Sequence, residues 1–329
     1  MRRRNFIAGV GSAAARLIRL FLGAVLAAAL VGVGGGAAQT TGTIKLIVPV
    51  QPGGTLSTLA RLLAEQIGKS QGSTIVIENR PGAGQVIGTE AVARAAPDGN
   101  TLLIHTGAFL TSPHLRKVNY DPFTSFEPIC HLANQPTLLV VNSASPYRSL
   151  SDLLNAVRAK PGELTLAAAG QLTFEMFKRA TNADMTFVPF PGGAPTVTAL
   201  LGGHVTSAFG QLGEVAEYLN AGKLRALATL SRSPIESLPD IPTLSAFGYQ
   251  DIEAEVINGL AAPARTPKET LSRLASWFTA ALNVPEVKSK LVAQGIYPVG
   301  FCGTDYVTHL RETFEEYGRV IREANIRAE

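Results

Sequence analysis

Along the chain, short runs of branched apolar residues alternate with stretches in which apolar residues recur every three or four positions. Residues 43–48 (TIKLIV) are a run of the first kind, ended by Pro49, and predict a buried strand. Residues 55–69 are of the second kind: Leu56, Leu59, Ala60, Leu63 and Ile67 fall on one helical face, and Gly68 is expected to end it. The same reading gives strands at 74–78 and 101–105, a helix over 85–95 between them, and a fourth strand at 136–142. Beyond 143, helices at 150–159, 174–180, 194–201 and 214–221 alternate with strands at 164–169, 185–190, 204–209 and 224–229. Ser149 is placed to cap the first of these helices, with Asp152 in its first turn. After residues 234–242 the pattern turns helical, at 267–282, 285–294 and 304–324. Pro267 and Pro285 open the first two. The third is charged on one face and reads as surface packing. Alternating strands and helices predict an α/β fold with parallel sheets. Ligands of such sheets sit in the loops that leave the carboxyl ends of strands.

The N-terminus stands apart from this pattern. Arg2, Arg3, Arg4, Arg16 and Arg19 precede an uncharged apolar run over 20–33, followed by small residues at 34–38. This predicts an export signal cleaved after Ala38. The alternative is a membrane anchor, but the run is short against the ~20 residues a span needs. Arg3-Arg4-Asn5-Phe6-Ile7 resembles a twin-arginine motif, so either the general secretory or the twin-arginine route is open. Cleavage changes the charge: removing five arginines from 29 basic residues leaves 24 against 25 acidic ones. No basic block then remains to suggest nucleic acid or a membrane surface. An oxidising compartment permits a disulfide between Cys130 and Cys302, but their spacing does not argue for one, and two unpaired apolar residues are the expectation. The five histidines are scattered, none at ligand spacing to a cysteine or carboxylate, so neither a metal nor another cofactor is expected.

Three strand-to-helix loops carry glycines: Pro49-Val50-Gln51-Pro52-Gly53-Gly54-Thr55, Asn79-Arg80-Pro81-Gly82-Ala83-Gly84, and Phe190-Pro191-Gly192-Gly193-Ala194-Pro195. Each lets a ligand approach main-chain N–H groups at a helix N-terminus, where unpaired donors and a partial positive charge favour an anion. One such loop alone is an ordinary tight turn; three on the same end of the sheets point to a carboxylate or phosphate pocket. Arg80 offers a salt bridge, or else pairs across its own turn. Phe109, Phe190 and Phe209 are pocket walls or plain core. Competing motifs fail. In Gly82-Ala83-Gly84-Gln85-Val86-Ile87-Gly88 the third glycine is one place too late for a dinucleotide fingerprint. There is no phosphate-loop Gly-Lys-Ser and no nucleophile elbow. Ser57 and Ser112 have no readable base, so no catalysis is expected.

Several blocks occur in a specific order. They are Ile47-Val48-Pro49 with Pro52-Gly53-Gly54, Glu78-Asn79-Arg80-Pro81-Gly82-Ala83-Gly84, and Ala96-Pro97-Asp98-Gly99 with Thr101-Leu102-Leu103. Val188-Pro189-Phe190 with Gly192-Gly193-Ala194-Pro195, Leu200-Leu201-Gly202-Gly203, 221–228 (AGKLRALA) and Leu238-Pro239-Asp240-Ile241-Pro242-Thr243 follow. With these blocks the sequence resembles the Bug-type solute-binding proteins of tripartite tricarboxylate transporters, over essentially the whole mature chain. The resemblance implies a two-lobed periplasmic binding protein fold of type II, each lobe a mostly parallel sheet flanked by helices. Residues 39–142 and 260–329 would form lobe one and 143–259 lobe two, with chain crossings near Asn142 and 257–261. It implies a small carboxylate ligand, membrane transporter subunits as partners, and a monomer with no nucleic acid. Ligands of the family include di- and tricarboxylates, aromatic acids, acidic amino acids and nicotinate-like acids. It places a ligand carboxylate on Gln51, Gly53, Gly54, Thr55 and Ser57, on Asn79, Gly82, Ala83 and Gly84, and on Thr106, Gly107 and Ala108. Gly170, Gln171, Gly192, Gly193, Ala194 and Gly210 would supply the second lobe's contacts. The chain departs from the family in three places. Ser57 stands where an acid is usual, which argues against an amino-acid ligand. The longer Gly/Ser-rich loop of the second lobe is cut to Gly170-Gln171, and Gly210 replaces a commonly polar or acidic residue. A sensor feeding a membrane kinase, a periplasmic enzyme on the same scaffold and a decayed protein without ligand stay open at this point.

Overall fold

The computed structural model describes residues 42–327 except 191, 250, 251 and 253; the expected export signal, with its cleavage after Ala38, lies outside the described residues. In chain order, β1 (Ile44–Val48), α1 (Thr55–Gln71), β2 (Ile75–Asn79), α2 (Val86–Ala93), β3 (Thr101–His105), α3 (Ala108–Leu115) and β4 (Phe126–Gln135) come first. Then follow β5 (Thr137–Asn142), α4 (Leu150–Ala159), β6 (Thr165–Ala168), α5 (Gln171–Thr181), β7 (Thr186–Pro189) and α6 (Gly193–Leu201). β8 (Ser207–Gln211), α7 (Leu212–Asn220) and β9 (Leu224–Thr229) continue the second lobe. β10 (Val256–Pro263), α8 (Lys268–Leu282), α9 (Pro285–Val292), β11 (Tyr297–Cys302) and α10 (Thr304–Glu323) complete the chain.

The strands form two sheets, one of six in the order β11-β4-β10-β3-β1-β2 and one of five in the order β7-β6-β8-β5-β9. β1 lies parallel between β2 and β3. β6 likewise lies parallel between β7 and β8. β10 runs antiparallel to both β3 and β4, and β5 to both β8 and β9. The reason is the path of the chain. A strand that enters a lobe from the other lobe starts at the interlobe face and must run away from it. The strands whose ends build the loops run toward that face. Each sheet therefore has the strand that enters it from the other lobe reversed; in the six-stranded sheet β11 is reversed as well, antiparallel to β4.

The first crossing is the Gln135-Pro136-Thr137 junction between β4 and β5, not Asn142, because 137–142 pairs with β8 and β9. Proline suits it: the junction needs an extended turn and no ladder donor at that point. The return runs from Leu230 to β10, with Ala254 N–H bonded to the Leu230 carbonyl at 3.2 Å, so it enters lobe one ahead of residue 260. α3, β4, β10 and β11 were not among the expected elements. β4 (FEPICHLANQ) and β11 (YPVGFC) carry Pro, His, Asn and Gly, which no strand periodicity announces.

The expected helices form for the expected reasons. α1 buries Leu56, Leu59, Ala60, Leu63 and Ile67 and runs past Gly68 to Gln71. Gly72, at φ 65°, closes it with its N–H on the Gly68 carbonyl. Each fully buried Leu or Ile of this stripe contributes roughly 1.5–3 kcal/mol. Ser149 caps α4, accepting from Asp152 N–H at 3.1 Å. α10 does more than cover the surface. It packs on α3, β4 and β11 of lobe one and reaches α5 of lobe two, where Arg179 pairs with Glu323. Cys130 and Cys302 are not two unpaired residues: they face each other across β4 and β11, Cα atoms 4.0 Å apart, and are disulfide-bonded.

Candidate functional site

In lobe one the first two glycine loops leave the carboxyl ends of β1 and β2, which are parallel neighbours, so both open on the same end of the sheet. Gln51, Gly53, Gly54, Gly82, Ala83 and Gly84 are exposed there. The side chains around them hold the loops in shape. Asn79 Nδ2 donates to the Val50 carbonyl at 2.9 Å and to Ser57 Oγ at 3.1 Å. Ser57 Oγ donates to the Gln51 carbonyl at 3.3 Å. Ser57 is fully buried, and its hydroxyl is taken up in fastening the two loops. Thr55 Oγ1 donates to Gln135 Oε1 at 2.9 Å, and Gln135 Nε2 donates to the buried Asn258 at 3.2 Å. The N-terminus of α1 is thereby tied to both hinge strands. Arg80 pairs with Glu78, whose carboxyl it holds below the usual carboxylate range. That is the structural alternative for Arg80.

The second loop is unusual in its backbone. Gly82, Ala83, Gly84 and Gln85 all have positive φ, at 127°, 49°, 62° and 76°. Left-handed backbone at Ala83 and Gln85 costs roughly 1–2 kcal/mol per residue and persists only where the surroundings enforce it. Here Gln85 Nε2 donates to Thr106 Oγ1 at 2.9 Å, and Ser112 Oγ donates to the Gly84 carbonyl at 3.3 Å. Thr106 Oγ1 also accepts from Ala108 N–H at 3.3 Å, so the third loop is braced by the second. The strain orders an exposed peptide run beside the start of α2.

Gly88 explains the glycine that fitted no dinucleotide fingerprint. A β-carbon there would lie 2.8 Å from the Arg80 carbonyl and 2.9 Å from Pro49 Cβ. Its absence lets α2 pack on both loops at once. Gly88→Ala is expected to lose about 1–3 kcal/mol of stability, the usual cost of overpacking. Urea denaturation checks this; an unchanged midpoint would mean that the loops shift aside freely.

In lobe two, a cavity of about 100 Å³ opens on the face toward lobe one. Ala168, Ala169, Gly170 and Thr173 line it after β6, Phe209, Gln211 and Glu214 after β8, and Gly193 at the start of α6. Thr137 and 254–256 of the hinge and Tyr317 of α10 close it. Of the expected second-lobe residues, Gly170 and Gly193 line this cavity. Gln171 is turned to Glu175, at 3.2 Å, and Ala194 is exposed. Gly192 has φ 144° at the N-cap of α6, and Pro191 lies outside the described residues. Gly210 faces away: a β-carbon there would lie 2.5 Å from Val215, and strand alternation puts Phe209 and Gln211 on the cavity side instead. Phe109 is core, stacked on Tyr120. The third loop reaches the cavity indirectly, since Gly107 lies against the Tyr317 ring.

Glu214, Gln211, Thr173 and Tyr317 were not anticipated. The only signal was Gln211-Leu212-Gly213-Glu214, a capping pattern one turn before the expected helix start at 214. Glu214 Oε2 accepts from Gln211 N–H at 3.2 Å. The Gln211 side-chain amide, its NH2 assigned toward the acid, adds a bond of 3.0 Å to the other oxygen. Burial pushes the Glu214 carboxyl above the usual range, partly offset by the Gln211 N–H. The carboxyl group lies against Gly193, where a β-carbon would fall 2.0 Å from Cδ.

The family described as tripartite tricarboxylate transporter family receptor matches residues 59–326. Protein BugT of Bordetella pertussis is 32% identical over 288 residues, covering 85% of this chain and 88% of BugT. A Rhodopseudomonas palustris protein solved with adipate superposes with a TM-score of 0.75 at 31% identity, covering 88% of this chain and 99% of the other. MatC from Rhodopseudomonas palustris with bound malate gives 0.69 at 28% identity, covering 85% and 98%. With its two mixed sheets, its crossing at Pro136 and its paired glycine loops, the chain belongs to the tripartite tricarboxylate transporter receptor family.

Proposed function

We propose that this protein is an exported periplasmic receptor that captures a small carboxylate between its lobes and delivers it unchanged to the membrane subunits of a tripartite tricarboxylate-type transporter. The observation that carries the reading is the pair of exposed glycine loops at the carboxyl ends of β1 and β2, each opening a helix. Backbone N–H groups at a helix start hold an anion without a charged side chain. The relatives solved with adipate and malate support the ligand class. A carboxylate accepting three or four charge-assisted bonds gains roughly 1.5–3 kcal/mol from each. After ordering costs, that suffices for a micromolar dissociation constant, about 8 kcal/mol. The Thr55–Gln135–Asn258 chain gives lobe one a polar link to the hinge, so loading the first loop bears on the strands about which the lobes close.

The test is a thermal-shift screen of residues 39–329 against carboxylic acids, with the matching amides as controls. A ligand at a hundred times its dissociation constant should stabilise by about 2.7 kcal/mol. A carboxylate that shifts the melting point while its amide is silent is the expected result. Silence across mono-, di- and tricarboxylates from a folded protein would sink the proposal.

A further inference from the structure

Charge in the interlobe cavity is one-sided. Among the described residues that line it, Glu214 and Glu255 carry carboxylates, and there is no Lys, Arg or His. Glu255 is already engaged, accepting from Asn134 Nδ2. Glu214 is different in position. Its carboxyl group lies on Gly193, the first residue of α6. The place at that helix N-terminus which a second ligand carboxylate would seek is therefore filled by the protein's own acid. Only the lack of a side chain at 193 lets the carboxyl group approach so closely.

We propose that Glu214 selects a cationic group, an ammonium, at the end of the ligand remote from its carboxylate. The preferred ligand would then be a zwitterionic ω-aminocarboxylate rather than a dicarboxylate. The inference rests on the carboxylate-capture reading and narrows it. Three observations support it. Among the described residues, the hydrogen bonds to the Glu214 oxygens come from the backbone N–H and side-chain amide of Gln211, both neutral donors. Burial raises the carboxyl above its ordinary range, and the described lining of the cavity holds no Lys, Arg or His to offset that desolvation. And a ligand carboxylate brought to the same wall would meet a like charge with no basic residue to screen it. Ser57 had argued against an amino acid whose ammonium sits beside the carboxylate. Glu214 is in the other lobe and concerns a remote ammonium, so the two observations are compatible.

Calorimetric titration of residues 39–329 at pH 7 tests this with 5-aminopentanoate, adipate and hexanoate, and with the shorter homologues of each. The expected result is that an aminocarboxylate binds at least tenfold more tightly than the dicarboxylate of matching length. Glu214→Gln should lose that advantage while keeping or improving dicarboxylate affinity. Circular dichroism establishes that the variant is folded; if it is not, the ranking on the unaltered protein still decides. Dicarboxylates outranking aminocarboxylates would overturn the inference and leave carboxylate capture standing. An aminocarboxylate preference that survives in folded Glu214→Gln would overturn the assignment to Glu214. No binding by any of the three classes would overturn both readings.

Discussion

Lowering the pH from 6.5 toward 4 should destabilise the folded protein by about 3 kcal/mol through a single buried histidine. His105 is 1% exposed and His131 2%. Burial drives both from 6.5 down to about 4, and a neighbouring imidazole adds to it in each case, His131 acting on His105 and His309 on His131. His105 Nδ1 lies 3.2 Å from the Thr106 carbonyl, which assigns it the proton. Nε2 then accepts from the Tyr306 hydroxyl at 3.0 Å. Protonating Nε2 replaces that acceptor with a second donor and buries a charge. In the unfolded chain the same rings take up protons near 6.5. The unfolded state therefore binds more protons between 6.5 and 4, and stability falls as the pH falls through that window. It is fully retained above 6.5. The limiting slope is about 1.4 kcal/mol per pH unit for each histidine. Because the two are coupled, their joint effect stays below twice the single value. Glu214 acts in the opposite direction, since an acid with a raised folded pKa gains stability as it is protonated. Urea unfolding of Glu214→Gln at pH 7, 6, 5.5 and 5 isolates the histidines, because that variant lacks the opposing acid and ordinary carboxylates titrate below that range. A flat stability curve there would show that the imidazoles are solvated when the protein is folded.

Breaking the Cys130–Cys302 disulfide should cost about 2–5 kcal/mol. The two cysteines are 172 residues apart, so the bond closes a loop that contains the whole of lobe two, the end of β4 and the returning hinge strand β10. In the unfolded chain that closure removes much of the freedom that folding must otherwise overcome. Cys130 is fully buried in β4, in the core shared with α8 and α9. Replacing both cysteines by alanine therefore also loses some packing. The double alanine variant, compared with the oxidised protein by denaturant unfolding, should show the loss. Ligand binding measured below the variant's melting point should change little, because the bond lies across β4 and β11, away from the glycine loops. A variant as stable as the parent would mean that lobe one already restricts the unfolded chain as tightly without the bond.

The alternation of strands and helices, the capped α4, the stripe of α1 and the glycine loops were all legible in the sequence. Each depends on neighbours close in the chain, and local chemistry dictates it. The family blocks added the two-lobed fold by the same route, as ordered local motifs. Tertiary structure decided everything that needed a distant partner. β4, β10 and β11 are strands despite Pro, His, Asn and Gly because flanking strands satisfy their backbone and bury their side chains. The crossing lies at Pro136 because 137–142 pairs with strands some 70–90 residues later. Ser57, Asn79 and Thr106 look like ligand contacts in the sequence, yet their side chains bond to other loops and fix the shape that the exposed glycines present. Gly210 falls behind Phe209 and Gln211 because strand alternation turns it inward. Apart from Gly210, the expected binding residue nearest to Glu214 in the chain is Ala194, twenty residues earlier, and only the folding of α7 against α6 brings its carboxyl group onto Gly193. Local sequence determined which exposed glycines stand at the helix starts. Which side chains the other lobe sets toward them is a long-range matter, which only the packed lobes define.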